Sequence, residues 1–198
     1  MSAKEDLRII KTRHNIENAF ISLLEKAPFE KITVKQILEE ALISKGTFYA
    51  HYLDKYDLAE KIVDTALQEF RMGMKERLAL LRSGEHDELG MSLQKTIQTI
   101  LPRLILLKKI HTDRIDVDSS IKTIVNEEYL TFQQSLGRME EHSALKAHIA
   151  TNFVMGFVDW QVEHTQQITM RDYIDEIHKF SAEYGKWLRC TTLEKEDK

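Results

Sequence analysis

Apolar residues recur at helical spacing along most of the chain. Near the N-terminus, Ile16, Phe20, Leu23 and Ala27 form a stripe that stops at Pro28. The same spacing predicts further helices over about 54–82, 86–110 (with a kink at Pro102), 118–139, 142–165 and 173–187. No stretch alternates apolar and polar residues in the manner of a half-buried strand. The pattern therefore predicts an all-α protein.

Three helix starts follow one another at intervals of eleven and ten residues. In each, a capping residue lies between two apolar residues that form a hydrophobic staple: Ile32-Thr33 with Ile37, Ile43-Ser44 with Phe48, and Leu53-Asp54 with Leu58. Thr33 and Gln36 also have the spacing of a capping box. The sequence therefore predicts helix, tight turn, helix, short link and helix within its first 60 residues.

The stretch "SKGTFYAHY", residues 44–52, has two contrasting faces when it is placed on a helix. At about 100° per residue, Phe48 and Tyr52 share one face, and Gly46 and Ala50 lie opposite. We expect the aromatic pair to pack into the core of a small N-terminal domain. The nearly bare opposite face would let the helix enter a DNA major groove, whose width admits one helix.

Polar groups suited to DNA surround this small face. Ser44 caps the helix, whose free N–H groups suit a phosphate, and Lys45 adds a full charge. Thr47 and Ala50 are candidates for base contacts, through a hydroxyl and through a methyl that meets thymine. A helix-turn-helix alone is a packing motif, so the prediction depends on the small face and the donors occurring together. The candidate DNA-binding residues are Thr33, Lys35, Ser44, Lys45, Gly46, Thr47, Tyr49, Ala50, His51 and Lys55.

Residues 12–62 resemble the N-terminal DNA-binding domain of the TetR (tetracycline-repressor) family. They carry its T-V-x-x-I, S-K-G-T-F-Y-x-H-[FY] and D-K-x-x-L elements, and "PFEKITV" is similar to a subgroup frequent in Gram-positive bacteria. The resemblance implies a dimer whose second and third helices read DNA and whose second domain dimerises and often binds a small molecule. It also implies DNA-binding positions at Lys45, Thr47, Tyr49, His51 and Lys55. On the resemblance alone, a repressor is expected.

Leu42 departs from that family's pattern, which usually has glycine in the turn between the second and third helices. A left-handed backbone at a non-glycine residue costs about 1–2 kcal/mol. We therefore expect Leu42 to reshape this turn.

Charge is distributed unevenly between the two ends of the chain. The net charge of the 198 residues is −4, yet residues 1–58 hold nine basic and nine acidic residues. A DNA-binding surface must therefore be a local patch near the N-terminus, because the whole chain is not basic. We predict a helix-turn-helix DNA-binding domain at 1–55 and a helical dimerisation and regulatory domain at 56–198.

The chain has one cysteine, Cys190, which excludes an internal disulfide and a cysteine-based metal site. No uncharged apolar run approaches the roughly 20 residues that span a bilayer, and the N-terminus lacks the plan of a signal peptide. We expect a cytoplasmic protein without a membrane segment. The histidines His111, His142, His148 and His164 show no metal-binding spacing, so no metal and no cofactor are predicted.

The last two predicted helices are rich in aromatic residues. Between Phe153 and Trp160 the helix is apolar nearly all round, which favours neighbours on two sides. We predict a four-helix bundle across a two-fold axis, and the alternative is that these side chains fill the core of one monomer. The candidate dimer-interface residues are Phe153, Gly156, Phe157, Trp160, Tyr173, Ile177, Phe180 and Tyr184.

A ligand pocket among the helices at 86–110, 118–139 and 142–165 is a further hypothesis. Its candidate residues are Leu93, Ile97, Leu104, Phe132 and Phe153. Apolar residues at this spacing are more often core than ligand contacts. No nucleophile–base–acid set and no glycine-rich phosphate loop occurs in the sequence, so we predict no catalytic residue and no enzyme activity.

These observations predict a homodimeric transcriptional regulator that binds a near-palindromic, double-stranded operator. A small-molecule effector or a protein partner would act through the C-terminal domain and change the separation of the two DNA-binding domains. The alternative is a helical adaptor or co-activator that acts mainly through protein–protein contacts. The low overall basicity and Leu42 favour that alternative.

Overall fold

The computed structural model describes residues 3–84, 91–92, 96–137, 141–164 and 168–193. Its regular elements are all helical, and no strand occurs in these ranges, so the all-α prediction is confirmed. The α-helices are α1 Ala3–Lys26, α2 Val34–Ala41, α3 Lys45–Tyr49, α4 Lys55–Ser83, α5 Leu101–Leu107, α6 Val117–Ser135, α7 Ser143–Glu163 and α8 Met170–Leu193. None of these described helices is both long enough and apolar enough to cross a membrane.

Contacts group the chain into two compact units, Met1–Thr151 and Asn152–Lys198. The first unit holds α1 to α6 and the start of α7. The second holds the rest of α7 and α8. The predicted functional boundary at residue 55 coincides with the start of α4 and stays a prediction.

All three predicted N-caps are present. The Thr33 side chain accepts from the backbone N–H of Gln36, and the Gln36 side chain accepts from Thr33, which completes the capping box. Ser44 caps α3 by accepting from the N–H of Thr47, and Asp54 caps α4. The third staple is wrong, because Leu53 is 79% exposed although Leu58 is buried. There the Asp57 carboxylate accepts from the Leu53 N–H instead and fixes the entry to α4.

The core of the N-terminal region, which we call the head (residues 3–58), is formed by side chains from α1, α2, α3 and the start of α4. Phe20 and Phe29 meet edge to face, with ring centroids 6.1 Å apart. Phe48 is fully buried and its ring centroid lies 5.7 Å from that of Tyr52. The other fully buried members are Ile16, Leu24, Ile37 and Leu58. The Tyr52 hydroxyl, just after α3, also donates to Glu17 on α1.

Helix α4 runs from the head through the first unit for 29 residues, about 44 Å at 1.5 Å per residue. Its buried face packs against α5 and α6. It ends as predicted at Ser83, where Gly84 adopts a left-handed backbone with φ of 80°. One continuous helix therefore connects the head to the rest of the first unit.

A π-helical segment, Thr96–Ile100, lies directly before α5, whose second residue is Pro102, and the kink predicted at this proline stays a prediction. Proline has no N–H to donate to the carbonyl one turn back, so the regular α-helical ladder is interrupted here. Leu101, Leu104 and Leu107 of α5 are buried.

In the second unit, an aromatic side chain of α8 and an amide of α7 contribute to the packing of these two helices. Tyr173 packs against Phe153 and Phe157, with ring centroids 5.2 and 5.5 Å away. An added Cβ at Gly156 would collide with the Tyr173 hydroxyl, so the tyrosine side chain would have to shift. The Gln161 side chain donates to the carbonyl of Ile168 and accepts from its N–H, and this connects the end of α7 to the residues before α8.

Leu42 is left-handed, with φ of 53° and ψ of 45°, and is 90% exposed. The Ile43 N–H donates to the carbonyl of Leu38 and closes the turn in the manner of a Schellman motif. The turn thus keeps the left-handed geometry that glycine would adopt. The expectation that leucine reshapes it is wrong, and the backbone of Leu42 bears the strain instead.

Replacing Leu42 with glycine is expected to increase the free energy of unfolding by about 0.5–1 kcal/mol. Glycine removes about 1–2 kcal/mol of left-handed strain, and part of this gain is offset by the entropy it adds to the unfolded chain. Leu53→Gly is the matched control, because Leu53 is also exposed but has no positive φ, and its replacement should destabilise the protein. Chemical denaturation measures both, and equal destabilisation by the two variants would contradict the strain at Leu42.

Phe48→Ala is expected to lower the free energy of unfolding by about 3 kcal/mol, because it leaves a cavity in the head where a phenyl ring is fully buried. Tyr49→Ala, at the neighbouring half-exposed aromatic, should cost much less. Far-ultraviolet circular dichroism during urea denaturation compares them. Normal stability of the Phe48 variant would mean that α3 is not anchored through this ring.

Candidate nucleic-acid interface

Helix α3 exposes one face and buries the other, as predicted. Phe48 and Tyr52 are buried, whereas Gly46 and Ala50 are exposed. The α-helix proper ends at Tyr49, yet the N–H groups of Ala50 and Tyr52 continue helical hydrogen bonds to Gly46 and Phe48. Tyr52 therefore still turns inward, where its hydroxyl donates to the Glu17 carboxylate at 3.1 Å. An added Cβ at Gly46 would have only the Ser44 hydroxyl as a neighbour, at 3.9 Å, so the protein itself leaves this face open.

The start of α3 presents a pair of hydroxyl groups. Ser44 Oγ accepts from the Thr47 N–H at 3.1 Å and lies 2.9 Å from Thr47 Oγ1. Because these two hydroxyls share a hydrogen bond, their positions relative to the backbone are fixed. The helix has only five residues, so its dipole is small and Lys45 supplies most of the positive charge at this end.

Lys45 is exposed, and its ammonium lies 5.9 Å from the centroid of the Tyr49 ring. Within the described ranges no carboxylate lies within 4 Å of it. Tyr49 is 47% exposed, and its ring stands edge-on against Phe48 at 5.4 Å. The buried Phe48 ring therefore packs against Tyr49 on its inner side. Lys45 and Tyr49 place a cation and an aromatic ring next to each other on the exposed surface.

Two acidic side chains of the head, Glu40 and Asp57, are engaged within the protein. Glu40 accepts from Ser22 and Lys26, and these hydrogen bonds lower the pKa of its carboxyl. Burial acts to raise the pKa of Asp57, but hydrogen bonds from Lys61 and from the Leu53 N–H lower it overall. The head as a whole has equal numbers of basic and acidic residues, but the exposed surface of α3 carries the positive charge of Lys45.

The remaining candidate DNA-binding residues, which lie around the exposed face of α3, have different surroundings. Thr33 is exposed, but its hydroxyl belongs to the capping box with Gln36. Lys35 is exposed and lies 3.8 Å from Glu39, a pair worth only a few tenths of a kcal/mol on a helix surface. His51 is half-buried, with its ring beside Tyr52.

Lys55 has a structural role that the sequence analysis missed. Its ammonium donates to the carbonyls of Phe29, Glu30 and Ile32 at 3.0, 3.2 and 2.9 Å. It also lies over the Phe29 ring, 4.6 Å from the centroid. Burial lowers the pKa of Lys55, and Glu30 opposes that effect. All three donors of the ammonium are thus used within the protein, where they join the start of α4 to the 3₁₀ turn Phe29–Lys31.

The predicted ligand-pocket residues have different environments. Leu93 lies outside the described residues, as does the side chain of Ile97. Leu104 is fully buried in the core, and Phe132 and Phe153 are half-buried. An open groove of about 490 Å³ lies between α4 and α6. It is lined by Asp64, Leu67, Gln68, Arg71, Ser119, Ser120, Thr123 and Ile124, so the predicted pocket stays a prediction.

The predicted dimer-interface residues divide into two sets. Phe153, Gly156, Phe157 and Tyr173 pack together between α7 and α8 of the same chain, as the monomer-core alternative would have it. The side chains that remain exposed are Trp160, Ile177, Phe180 and Tyr184. Ile177, Phe180 and Tyr184 follow helical spacing on α8, and Phe180 and Tyr184 stack with ring centroids 5.4 Å apart. Only this exposed set is available for a partner surface.

Comparison with known proteins gives three findings. Residues 18–70 match the model of a family described as bacterial regulatory proteins, tetR family. An HTH-type transcriptional regulator, YxbF, of Bacillus subtilis (strain 168) is 32% identical over 91 residues, which cover 45% of this chain and 22% of that relative. The crystal structure of a gamma-butyrolactone receptor (ArpA-like protein) aligns with a TM-score of 0.47 and 16% identity, covering 87% of this chain and 95% of that one. The chain thus spans about a fifth of the length of YxbF.

Lys55→Met is expected to lower the free energy of unfolding by about 1–3 kcal/mol, because three carbonyls lose a charged donor. Lys45→Met, which removes an exposed ammonium nearby, should leave stability within about 0.5 kcal/mol of the wild type. Thermal and urea denaturation of both variants measure the difference. Should the Lys55 variant melt like the wild-type protein, Lys55 would be free for the DNA contact that the sequence predicts.

Proposed function

We propose that this chain, which belongs to the tetR family of bacterial regulatory proteins, regulates transcription by binding double-stranded operator DNA through α3. The observation that carries the proposal is the exposed small face of α3 beside Lys45 and Tyr49, supported by the buried Phe48. A catalytic role is not proposed, because this family consists of regulatory proteins. A regulator that binds chromosomal DNA in a bacterium would act in the cytoplasm.

In the proposed complex, each residue type on α3 has a distinct role. The backbone at Gly46 and Ala50 approaches the base edges most closely, because neither residue has a long side chain. Thr47 contacts a base through its hydroxyl or methyl group. Lys45, Tyr49, Ser44 and His51 contact phosphates and so fix the orientation of the head, with Thr33 and Lys35 further out on the rim. Lys55 contributes indirectly, by holding α4 against the head.

A homodimer would present two such heads to a near-palindromic operator. Half-sites read by a symmetric dimer lie one helical turn apart, about 34 Å, so the distance between heads determines whether both can bind. The exposed apolar face of α8, formed by Ile177, Phe180 and Tyr184, supports a dimer surface because Phe180 alone is 62% exposed. The proposal therefore assigns DNA binding to the first unit and dimerisation to the second.

Control of DNA binding is proposed to act through α4. A small-molecule effector or a protein partner that binds one arrangement of the regulatory region better than another shifts the population of head positions. Because α4 is continuous from the head to Ser83, a change at its far end alters the position of the head. Repression is the expected sign, since a bound dimer would occupy its operator.

The rival function is a helical adaptor that acts through protein contacts. The even charge balance of residues 1–58 favours it, because DNA-binding domains are commonly basic. A salt titration separates the two functions. DNA binding through several phosphates weakens steeply as salt rises, by about 0.9 log units per contact for each tenfold increase, whereas an adaptor shows no DNA binding at any salt.

Lys45→Ala and Tyr49→Ala are each expected to weaken operator binding about tenfold or more, equivalent to ~1.4 kcal/mol, without lowering the melting temperature. The operator is first obtained by selecting bound fragments from random and genomic DNA. Fluorescence anisotropy then gives the dissociation constant as a function of salt, where the Lys45 variant should lose about one unit of slope per head. Lys122→Ala on α6 is the matched control, an exposed lysine outside the head that should bind DNA like the wild type.

Equal binding by the Lys45, Tyr49 and Lys122 variants would mean that α3 does not carry the interface. Failure to select any DNA sequence, together with no binding at low salt, would favour the adaptor.

A further inference from the structure

Glu128 is the one acidic side chain that is buried among the residues the structure describes, with 5% of its surface exposed. It lies on α6, and two basic residues of α4 surround its carboxylate. Arg71 Nη1 donates to Glu128 Oε1 at 2.9 Å, and the Lys75 ammonium lies 3.8 Å from the same oxygen. A carboxylate is rarely buried without such partners, because removing a charge from water is costly. Glu128 therefore joins α6 to two successive turns of α4.

Arg71 gives this contact a defined geometry. Its two terminal nitrogens donate to different glutamates, Nη1 to Glu128 at 2.9 Å and Nη2 to Glu127 at 2.8 Å. The guanidinium is planar and rigid, so two such hydrogen bonds restrict both the position and the direction of the side chain. Apolar packing is non-directional by comparison, and packed helices can slide past each other by small amounts. We call Arg71, Lys75, Glu127 and Glu128 the clamp, because they fix α4 on α6.

On the side of the clamp nearer the head, α4 and α6 are less tightly connected. The open groove of about 490 Å³ lies there, between residues 64–71 of α4 and 119–124 of α6. Still closer to the head, Glu60 of α4 lies 3.6 Å from Arg114, whose side chain is 81% exposed. Such an exposed ion pair contributes little to stability. Along this seam, the clamp is therefore the contact that constrains α4 most strongly.

The distance from the clamp to the head makes its geometry consequential. Thirteen positions separate Arg71 from Leu58, the last residue of the head, which is about 20 Å along α4. A tilt of about 10° at Arg71 would therefore displace the base of the head by roughly 3–4 Å, close to the rise of one base pair, about 3.4 Å. A change of that size decides whether a second head meets its half-site.

We propose that the clamp determines operator spacing: by fixing α4 on α6, Arg71 and Glu128 set the separation of the two heads in the dimer and hence the half-site spacing that the regulator accepts. In this role neither residue contacts DNA, and both are positioning residues. A buried ion pair suits the role, because such a pair adds little stability over apolar groups of similar size but can specify one arrangement of the elements it joins. This role rests on the proposed function, since it requires a dimer that binds an operator.

The test compares one half-site with full operators whose half-sites have the selected spacing or are one or two base pairs closer or further apart. Arg71→Met combined with Glu128→Met removes both charges together, so no buried carboxylate is left without its partner. The double variant should bind the half-site like the wild type, because the head is unchanged. Its preference for the selected spacing should fall roughly two- to thirty-fold. Fluorescence anisotropy gives the dissociation constants.

The matched control is Glu69→Met combined with Arg103→Met. This pair joins α4 to α5, but its atoms are 3.5 Å apart and its side chains are 47% and 28% exposed. The control should keep the wild-type spacing preference.

Arg71→Lys decides the question if the double variant melts far below the wild type. Lysine keeps a positive charge beside Glu128 but has no rigid fork for two glutamates. It should therefore melt close to the wild-type temperature and still relax the spacing preference.

A second measurement follows the separation of the heads without DNA. Leu53→Cys in a Cys190→Ser background places one spin label on each head, at an exposed position. Double electron–electron resonance then gives the distance between the two labels in the dimer. The clamp variants should shift or broaden the distribution of this distance, whereas the control pair should leave it unchanged.

Wild-type spacing preference in the clamp variants would overturn the proposal, as would equal binding of all spacings by the wild type. Unchanged label distances would overturn it as well. A clamp variant that loses affinity equally for the half-site and the full operator would show only that the clamp supports the folded head, which also contradicts the proposal. If the wild type binds no half-site, the proposed function fails instead, and the label distances still decide whether the clamp positions the heads.

Discussion

The structure of the head depends on the burial of one phenyl ring. Phe48 is fully buried, and Tyr52 lies beside it with its hydroxyl on Glu17 of α1. A helix of five residues has too few hydrogen bonds to be stable by itself, so its position has to come from tertiary packing. Because the ring takes up one side of α3, the chain can leave Gly46 and Ala50 uncovered on the other side. The same packing therefore sets both the stability of the head and the shape of the surface offered to DNA.

The sequence predicted the parts of this arrangement that depend on local chemistry. Thr33, Ser44 and Asp54 are short polar residues directly before apolar ones, and such caps form from contacts within one turn of helix. The two faces of α3 followed from a fixed angle per residue. The left-handed geometry at Leu42 was not predicted, because the sequence shows only that leucine disfavours it. The structure shows that the neighbouring hydrogen bond from Ile43 to Leu38 nevertheless imposes it.

The role of Lys55 could not be predicted, because its partners are three backbone carbonyls about 25 residues earlier in the chain. Carbonyls leave no signature in a sequence, and a lysine after an aspartate reads as a surface residue. Which aromatic residues of α7 and α8 are buried and which are exposed could not be predicted for a similar reason. Helical spacing groups Phe153, Phe157 and Trp160 together, but only the position of Tyr173 decides which of them are covered within the chain.

Helix α4 connects the features that carry the proposals. Lys55 joins its first turn to the backbone of the head, and the helix continues to Ser83. Between them, Ile62, Ala66 and Phe70 are buried, so the helix is supported along the way and has no glycine or proline hinge before Gly73. In the proposed function, a continuous helix would transmit a change at its far end to the head as a displacement. Since half-sites on DNA are a fixed distance apart, even a small displacement would weaken binding of the second head once the first is bound.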